Sequence, residues 1–207
     1  MLEQIRFSDT DHLYILGDVI DRGTGGIDLL EQIMEASNMT MLLGNHEQMC
    51  LSTLGPHNEF GARDLWRQNG GGTTYRELLY HCTHQKRNRI LRFLSELPDA
   101  LKLTVGNQKF HLVHGFPGDD HDTRIWGRVE PDSVSPYPDT ICIVGHTPTV
   151  FLTGQMDKDS SIWHGNRIID IDCGCGNLNA PHRRLACLRL DDMAEFYVGG
   201  AETENFI

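Results

Sequence analysis

Four short strings carry the residues able to do chemistry: Gly17-Asp18-Val19-Ile20-Asp21-Arg22-Gly23, Gly44-Asn45-His46-Glu47, His114-Gly115 and Gly145-His146-Thr147. Each follows a β-branched or leucine-rich run, so each is expected where a strand delivers polar side chains into a cleft. Asp18 offers a carboxylate able to bridge two cations. Asn45, His114 and His146 offer a neutral oxygen and two imidazole nitrogens to one of them. Two divalent ions roughly 3.5–4 Å apart supply both a strong oxygen nucleophile and neutralisation of phosphate oxygens, the two requirements for hydrolysing a phosphomonoester at neutral pH. Mixed oxygen and nitrogen donors favour manganese, iron or zinc over calcium. Taken singly, each residue has a plainer reading: Asp18 as a helix cap, Asn45 as a turn residue, either histidine as a hydrogen-bonded surface group. Four strand ends bearing matching chemistries favour the metal reading.

His46 directly follows Asn45, so its ring points away from the ligating position while staying near it, which suits a general acid for a leaving alkoxide. Asp21 is the candidate to orient that imidazole, since a carboxylate on one ring nitrogen fixes the tautomer and favours the charged ring. The plainer alternative is a surface ion pair. Arg22 can grip phosphate oxygens through a planar fork. Arg128, in Ile125-Trp126-Gly127-Arg128, is the choice for a second fork, with Arg124 as competitor and an ordinary loop cation as the bland reading.

The elements that must position these residues alternate at first. Leu13–Leu16 reads as a buried strand, Gly26–Ala36 as a helix with Ile27, Leu30, Ile33 and Met34 in register, and Met39–Leu43 as the next strand. That order places Asp18 and Asn45 at the carboxyl ends of neighbouring strands, where open α/β sheets bind ligands. Glu47–Pro98 is expected to be a mainly helical insertion, broken at Asn69-Gly70-Gly71-Gly72. Strand-like runs follow at Leu101–Val105, Phe110–Val113, Thr140–Val144, Arg167–Ile171, Arg184–Leu190 and Glu195–Val198. The expected fold class is α/β, a sheet-on-sheet core flanked by helices, since several late strands lie too close together for crossover helices.

The chain has 207 residues, enough for a single domain spanning 1–207, with residues 47–98 as the helical part within it. A net charge of −11 argues against nucleic acid as a partner and for a need of cations to attract phosphate. The basic run Lys86–Arg92 carries leucine and isoleucine at helical spacing and reads as a solvated helix face. Six cysteines without Cys-x-x-Cys spacing suit a reducing cytoplasm, and Cys173 and Cys175 are expected to be small buried residues rather than a redox pair. No apolar run approaches the roughly 18 residues of a membrane span, so a membrane is not an expected partner.

Together the strings resemble the phosphoprotein phosphatase family of metallophosphoesterases, with calcineurin-like fold, especially the small bacterial and phage serine/threonine phosphatases such as lambda phosphatase. The similarity extends to Gln48-Met49, Trp66-Arg67-Gln68-Asn69-Gly70-Gly71, Pro148 and Ile171-Asp172-Cys173-Gly174. The resemblance implies that Asp18 bridges two metals, that Asn45, His114 and His146 complete one site, that His46 is the acid paired with Asp21, and that Arg22 and Arg128 hold phosphate. It implies two divalent ions, manganese first, and attack on phosphorus by a metal-bound hydroxide. The substrate class it implies is a phosphorylated protein or a small phosphoester. Dinucleoside polyphosphate hydrolysis is the alternative within the family, with Phe60, Trp66 and Trp126 as candidate stacking groups.

The family's Gly-Asp-x-His-Gly motif, which ends an opening strand and gives an Asp and a His to the other metal, is absent. Asp9, Asp11 and His12 precede rather than follow a strand, and Leu2 and Ile5 read as the last turns of the helix that should come after the motif. The expectation is therefore an N-terminally incomplete domain lacking the first strand, with Met1 internal to a longer protein. If the chain is natively this short, the competing reading is a non-catalytic phosphate- or metal-binding remnant. Oligomeric state is not legible.

Overall fold

The computed structural model describes residues 1–200, which group into two compact units: His12–Asp99, and Met1–Asp11 together with the chain from Ala100 onward. The His12–Asp99 unit opens with strand β1 (Leu13–Ile15), helix α1 (Gly26–Glu35) and strand β2 (Met39–Met41). The two strands pair in parallel, Leu13 opposite Met39 and Ile15 opposite Met41, and Leu42 N–H continues the ladder to the Ile15 carbonyl at 2.8 Å. Their carboxyl ends consequently lie side by side, with Asp18 following one and Asn45 the other.

A parallel pair this short gains little from its own ladder, so apolar packing must hold it. Ile27, Leu30 and Ile33 of α1 recur every three residues and are all buried. They join Ile20, Met41, Met49, Trp66, Leu78, Ile90 and Leu94 in one core. Each such side chain contributes roughly 1.5–3 kcal/mol on burial. The helical stretch resolves into α2 (Asn45–Leu54), α3 (Ala62–Gln68), α4 (Gly72–Arg76) running into a π-helical turn at Glu77–His81, and α5 (His84–Glu96). The Thr83 hydroxyl caps α5 by accepting from Lys86 N–H at 3.1 Å. The basic face read from Lys86–Arg92 is indeed solvated, with Lys86 Nζ 2.8 Å from Glu31 and Ile90 and Leu94 turned into the core.

In the other unit, strands β3 (Ala100–Val105), β4 (Gln108–Val113), β5 (Thr140–Val144), β6 (Trp163–His164) and β7 (Ile168–Asp170) form a sheet in the order β3-β4-β5-β7-β6. Strands β4, β5 and β7 run parallel, and β3 and β6 are antiparallel to their neighbours. Val113, Cys142, Val144 and Ile168 are fully buried beneath it, with Val129 and Leu152. Short helices α6 (His121–Trp126) and α7 (Val150–Thr153) follow β4 and β5, and β8 (Arg184–Arg189) pairs with β9 (Ala194–Gly199) as an antiparallel hairpin.

The mixed α/β class expected from the sequence is the one observed. Three elements escaped the sequence: α6, α7 and β6 are six, four and two residues long, too short for periodicity to register. The stretch read as helix end at Leu2 and Ile5 carries the bonds of one: Ile5 N–H bonds the Met1 carbonyl, Arg6 N–H that of Glu3 and Phe7 N–H that of Leu2, the pattern that closes a helix. Arg6 has φ of 54°, a left-handed value that stops helical propagation.

Candidate metal and phosphate residues

The loop after β1 is built largely from left-handed backbone. Gly17, Asp18, Asp21 and Arg22 have φ of 91°, 54°, 78° and 60°. Such values cost an L-residue about 1–2 kcal/mol, so something must hold the loop. Glu47, fully buried in the first turn of α2, supplies it. Its Oε2 accepts from the backbone N–H of Asp18 at 2.8 Å and of Gly44 at 3.1 Å; its Oε1 accepts from Val19 at 2.9 Å and Ile20 at 3.3 Å. Hydrogen bonds to a charged group contribute roughly 1.5–3 kcal/mol each, sufficient to offset the backbone cost. Asp18 Oδ1 in turn accepts from His46 N–H at 3.1 Å.

His46 and Asp21 are brought together as the sequence suggested. Their side chains are 2% and 0% exposed, and Asp21 Oδ2 accepts from His46 Nδ1 at 2.6 Å. The same oxygen accepts from the indole N–H of Trp66, also at 2.6 Å. A Cβ on Gly71 would overlap that indole, so the Asn69-Gly70-Gly71 turn needs glycine for the ring to pass. Thr74 Oγ1 accepts from Asp21 N–H at 3.1 Å, and the Gly70 carbonyl accepts from Arg22 N–H at 3.3 Å. Trp66, Thr74 and Glu47 are site-building residues that motif chemistry missed. Trp66 and Glu47 had membership of strings shared with the family as their signal, and Thr74 had none.

Burial opposes charge on His46, but the hydrogen bond it donates to Asp21 and the charge of Asp18 outweigh it, leaving the imidazole above its ordinary value. Arg22 sits 2.8 Å from His46 Nε2. A guanidinium only donates, so this geometry belongs to the neutral ring with its proton on Nδ1 facing Asp21. A second proton arriving at Nε2 would displace the guanidinium.

In the sheet unit, β4 and β5 are parallel neighbours with Leu112 opposite Ile143, so their carboxyl ends carry His114 and Gly145-His146 to the same edge. The Gly145 N–H bonds the His114 carbonyl at 2.9 Å. The His114 and His146 rings lie 5.0 Å apart, His114 buried and His146 half-buried with φ of 66°. Gly115 is required beside His114, because a Cβ would press on the Gly127 carbonyl at 2.7 Å. Thr147 is buried and accepts from Val129 N–H at 3.2 Å. Arg128 donates to the His146 carbonyl at 3.2 Å, which puts its guanidinium beside the histidine pair, whereas Arg124 turns back to the carbonyls of Gly118 and Asp119. Trp126 meets the His146 ring edge-on at 6.3 Å.

Two imidazoles side by side at one sheet edge, and a carboxylate and an amide side chain at the paired ends of β1 and β2, are donors that fit a divalent ion of the manganese, iron or zinc kind. The cysteines take no such part. Burial pushes the Cys173 thiol up to about 12, and Cys175, expected to be buried, is exposed yet also raised.

Buried acids also occur beside this edge. Asp170, fully buried on β7, accepts from Asp172 N–H through Oδ1 at 2.9 Å. Burial, then the charge of Asp172, pushes its carboxyl well above the usual carboxylate range.

These features agree with what the chain is similar to. The calcineurin-like phosphoesterase family matches residues 1–177, so the chain belongs to that family of metal-dependent phosphoester hydrolases. Two solved structures share the fold. One is a hypothetical protein from Pyrococcus horikoshii OT3 (TM-score 0.52, 14% identity, covering 96% of this chain and 78% of that one). The other is a metallophosphoesterase from Sphaerobacter thermophilus (TM-score 0.51, 18% identity, covering 98% and 83%). Among curated proteins, symmetrical bis(5'-nucleosyl)-tetraphosphatases of Salmonella typhimurium and Salmonella typhi are 39% identical over 49 residues, 23% of this chain. That match spans 17% of the length of those relatives.

Proposed function

We propose that the chain hydrolyses phosphomonoesters of phosphorylated proteins, at serine or threonine, in the cytoplasm and with manganese as the native ion. The observation that carries this reading is the Asp21–His46–Arg22 cluster. A buried carboxylate fixes one ring nitrogen, a guanidinium stands at the other, and Asp18 lies at the start of the same network.

On this reading Asp18, Asn45, His114 and His146 hold the metal. Bound divalent ions neutralise the phosphate oxygens and acidify water so that it can act as a nucleophile. Arg22 leaves His46 Nε2 to take a phosphate oxygen through its fork, and Arg128 takes another. His46 then carries a proton on Nε2 to the departing alkoxide, while Asp21 keeps Nδ1–H directed and the Trp66 indole keeps Asp21 in place. Trp66 excludes water from the Asp21 side, being 1% exposed.

Dinucleoside polyphosphates are a second reading, favoured by two observations. The tetraphosphatase similarity is one; the other is Trp126, 37% exposed with its ring against His146, which presents a face on which a base could stack. Trp66 offers no such face, since it is buried and bonded to Asp21.

The test is manganese-dependent hydrolysis by the full chain of a phosphoserine peptide, p-nitrophenyl phosphate and a dinucleoside tetraphosphate, read as release of phosphate, nitrophenol and nucleoside phosphates respectively. An alkoxide needs a proton to leave and nitrophenolate does not. His46→Asn should therefore slow the phosphopeptide about 10²–10⁴-fold and p-nitrophenyl phosphate far less. Equal slowing of both would remove His46 from the acid role. Preference for the tetraphosphate would establish the second reading, and no release from any of the three by a folded chain would leave the phosphate-binding remnant.

A further inference from the structure

The deepest polar group of the His12–Asp99 unit is one that phosphate chemistry does not use. Glu47 is 0% exposed, yet its two oxygens together accept four backbone N–H groups, three of them consecutive, from Asp18, Val19 and Ile20, and one from Gly44. Consecutive N–H groups turned to one side by left-handed backbone make a concavity that attracts an anion. Here the chain supplies the anion itself. Glu47 sits on α2 two residues after Asn45, so the carboxylate that closes the β1 loop is rigidly tied to the helix that begins with the Asn45 ligand. The Gly44 bond adds the turn just before that helix, and a Cβ on Gly44 would strike both the Asp18 side chain and Glu47.

We propose that Glu47 is a positioning residue for metal binding: it holds Asp18 and Asn45 in their mutual arrangement before any ion arrives. The inference rests on the reading that Asp18 and Asn45 are ligands. Glu47 accepts the N–H of the left-handed Asp18, beside the bond that Asp18 Oδ1 accepts from His46 N–H. A glutamine of the same size cannot substitute, because its NH₂ would face N–H donors where an acceptor oxygen is needed. Aspartate keeps the charge but is one methylene too short to reach the β1 loop from α2.

The test compares Glu47→Gln, Asp18→Asn and a core control, Ile33→Val, in the full chain. It uses manganese binding measured by calorimetry and amide hydrogen exchange in metal-free protein. Partners that orient metal ligands typically account for 10–100-fold in affinity. Glu47→Gln should therefore weaken manganese binding by that factor and release the Asp18, Val19 and Ile20 amides to rapid exchange, while Ile33→Val changes neither. A folded Glu47→Gln chain that binds manganese as the parent does would overturn the proposal. If Asp18→Asn also left binding unchanged, the ligand reading itself would fail. Should Glu47→Gln not fold, the metal-free parent decides: slow exchange at residues 18–20 supports a preset loop, and rapid exchange there refutes it.

Discussion

In the His12–Asp99 unit the reactive side chains hold one another, whereas in the sheet unit the backbone holds them. Asp21 bonds His46 and Trp66, Arg22 bonds His46, and Glu47 ties down the Asp18 loop; every one of these contacts is a side chain reaching across sequence. His114 and His146 instead owe their nearness to the register of β4 and β5, and Arg128 and Trp126 meet His146 from outside the strands. A ladder tolerates change at its ends better than a network does, because each ladder bond is independent of side-chain identity. The lesson is that Asp21, His46 and Trp66 demand exact neighbours while the two histidines at the strand ends demand a sheet.

The largest expected effect asks whether both regions serve one chemistry. Asp18→Asn and His146→Asn should each abolish manganese-dependent phosphate release, and each should weaken manganese binding more than the roughly 100-fold ceiling for orienting partners. Asparagine tolerates the left-handed backbone at both positions, so calorimetry on the two folded variants reads ligation rather than folding. Loss in one variant only would break the comparison by assigning the metal to one region.

A smaller effect separates network from ladder. Gly71→Ala overlaps the Trp66 indole and should cost about 1–3 kcal/mol in urea unfolding, with a fall in turnover as the indole leaves Asp21. Its neighbour Gly72, which opens α4 with nothing near its absent Cβ, should accept alanine without loss. Gly145→Ala at the end of β5 meets the His114 carbonyl at 3.7 Å, an ordinary separation, and should cost well below Gly71→Ala.

The smallest concerns the sheet unit alone. Asp170 has a folded-state pKa raised above its unfolded value of about 3.9. The stability it contributes is complete below that unfolded value and is lost as pH rises through the folded one. Asp170→Asn keeps an oxygen for the Asp172 N–H and carries no titrating charge. Melting curves from pH 5 to pH 8 should show the variant gaining on the parent as pH rises, by about 2–4 °C for each kcal/mol recovered. A constant gap would mean that the folded-state carboxyl is already ionised at pH 5.

Sequence legibility followed the same division. The ends of β1, β2, β4 and β5 could be read because Leu13–Leu16, Met39–Leu43, Phe110–Val113 and Thr140–Val144 are apolar runs closed by polar strings. The His46–Asp21 pairing was legible because its chemistry is local to those strings. Trp66 was not. Its bond to Asp21 crosses 45 positions, and nothing in periodicity tells a core indole from one that also donates to a buried acid. The amide-gathering role of Glu47 depends on left-handed φ values at non-glycine residues, which composition does not announce. Helix α6 had a usable mark, since Asp120 accepts from Thr123 N–H as a cap, but a single turn beyond it gave no period to confirm.

The division into one continuous and one interrupted unit also imposes an order in time. His12–Asp99 is a single stretch of chain with its own core, whereas Met1–Asp11 belongs with residues that begin at Ala100. Synthesis at about 5–20 residues per second proceeds from the N-terminus. Met1–Asp11 therefore waits for partners that emerge several seconds later, while Asp18, Asp21, His46 and Trp66 can meet within the nascent chain. The ribosome thus delivers the Asp21–His46–Trp66 cluster before the strands that lead to His114 and His146.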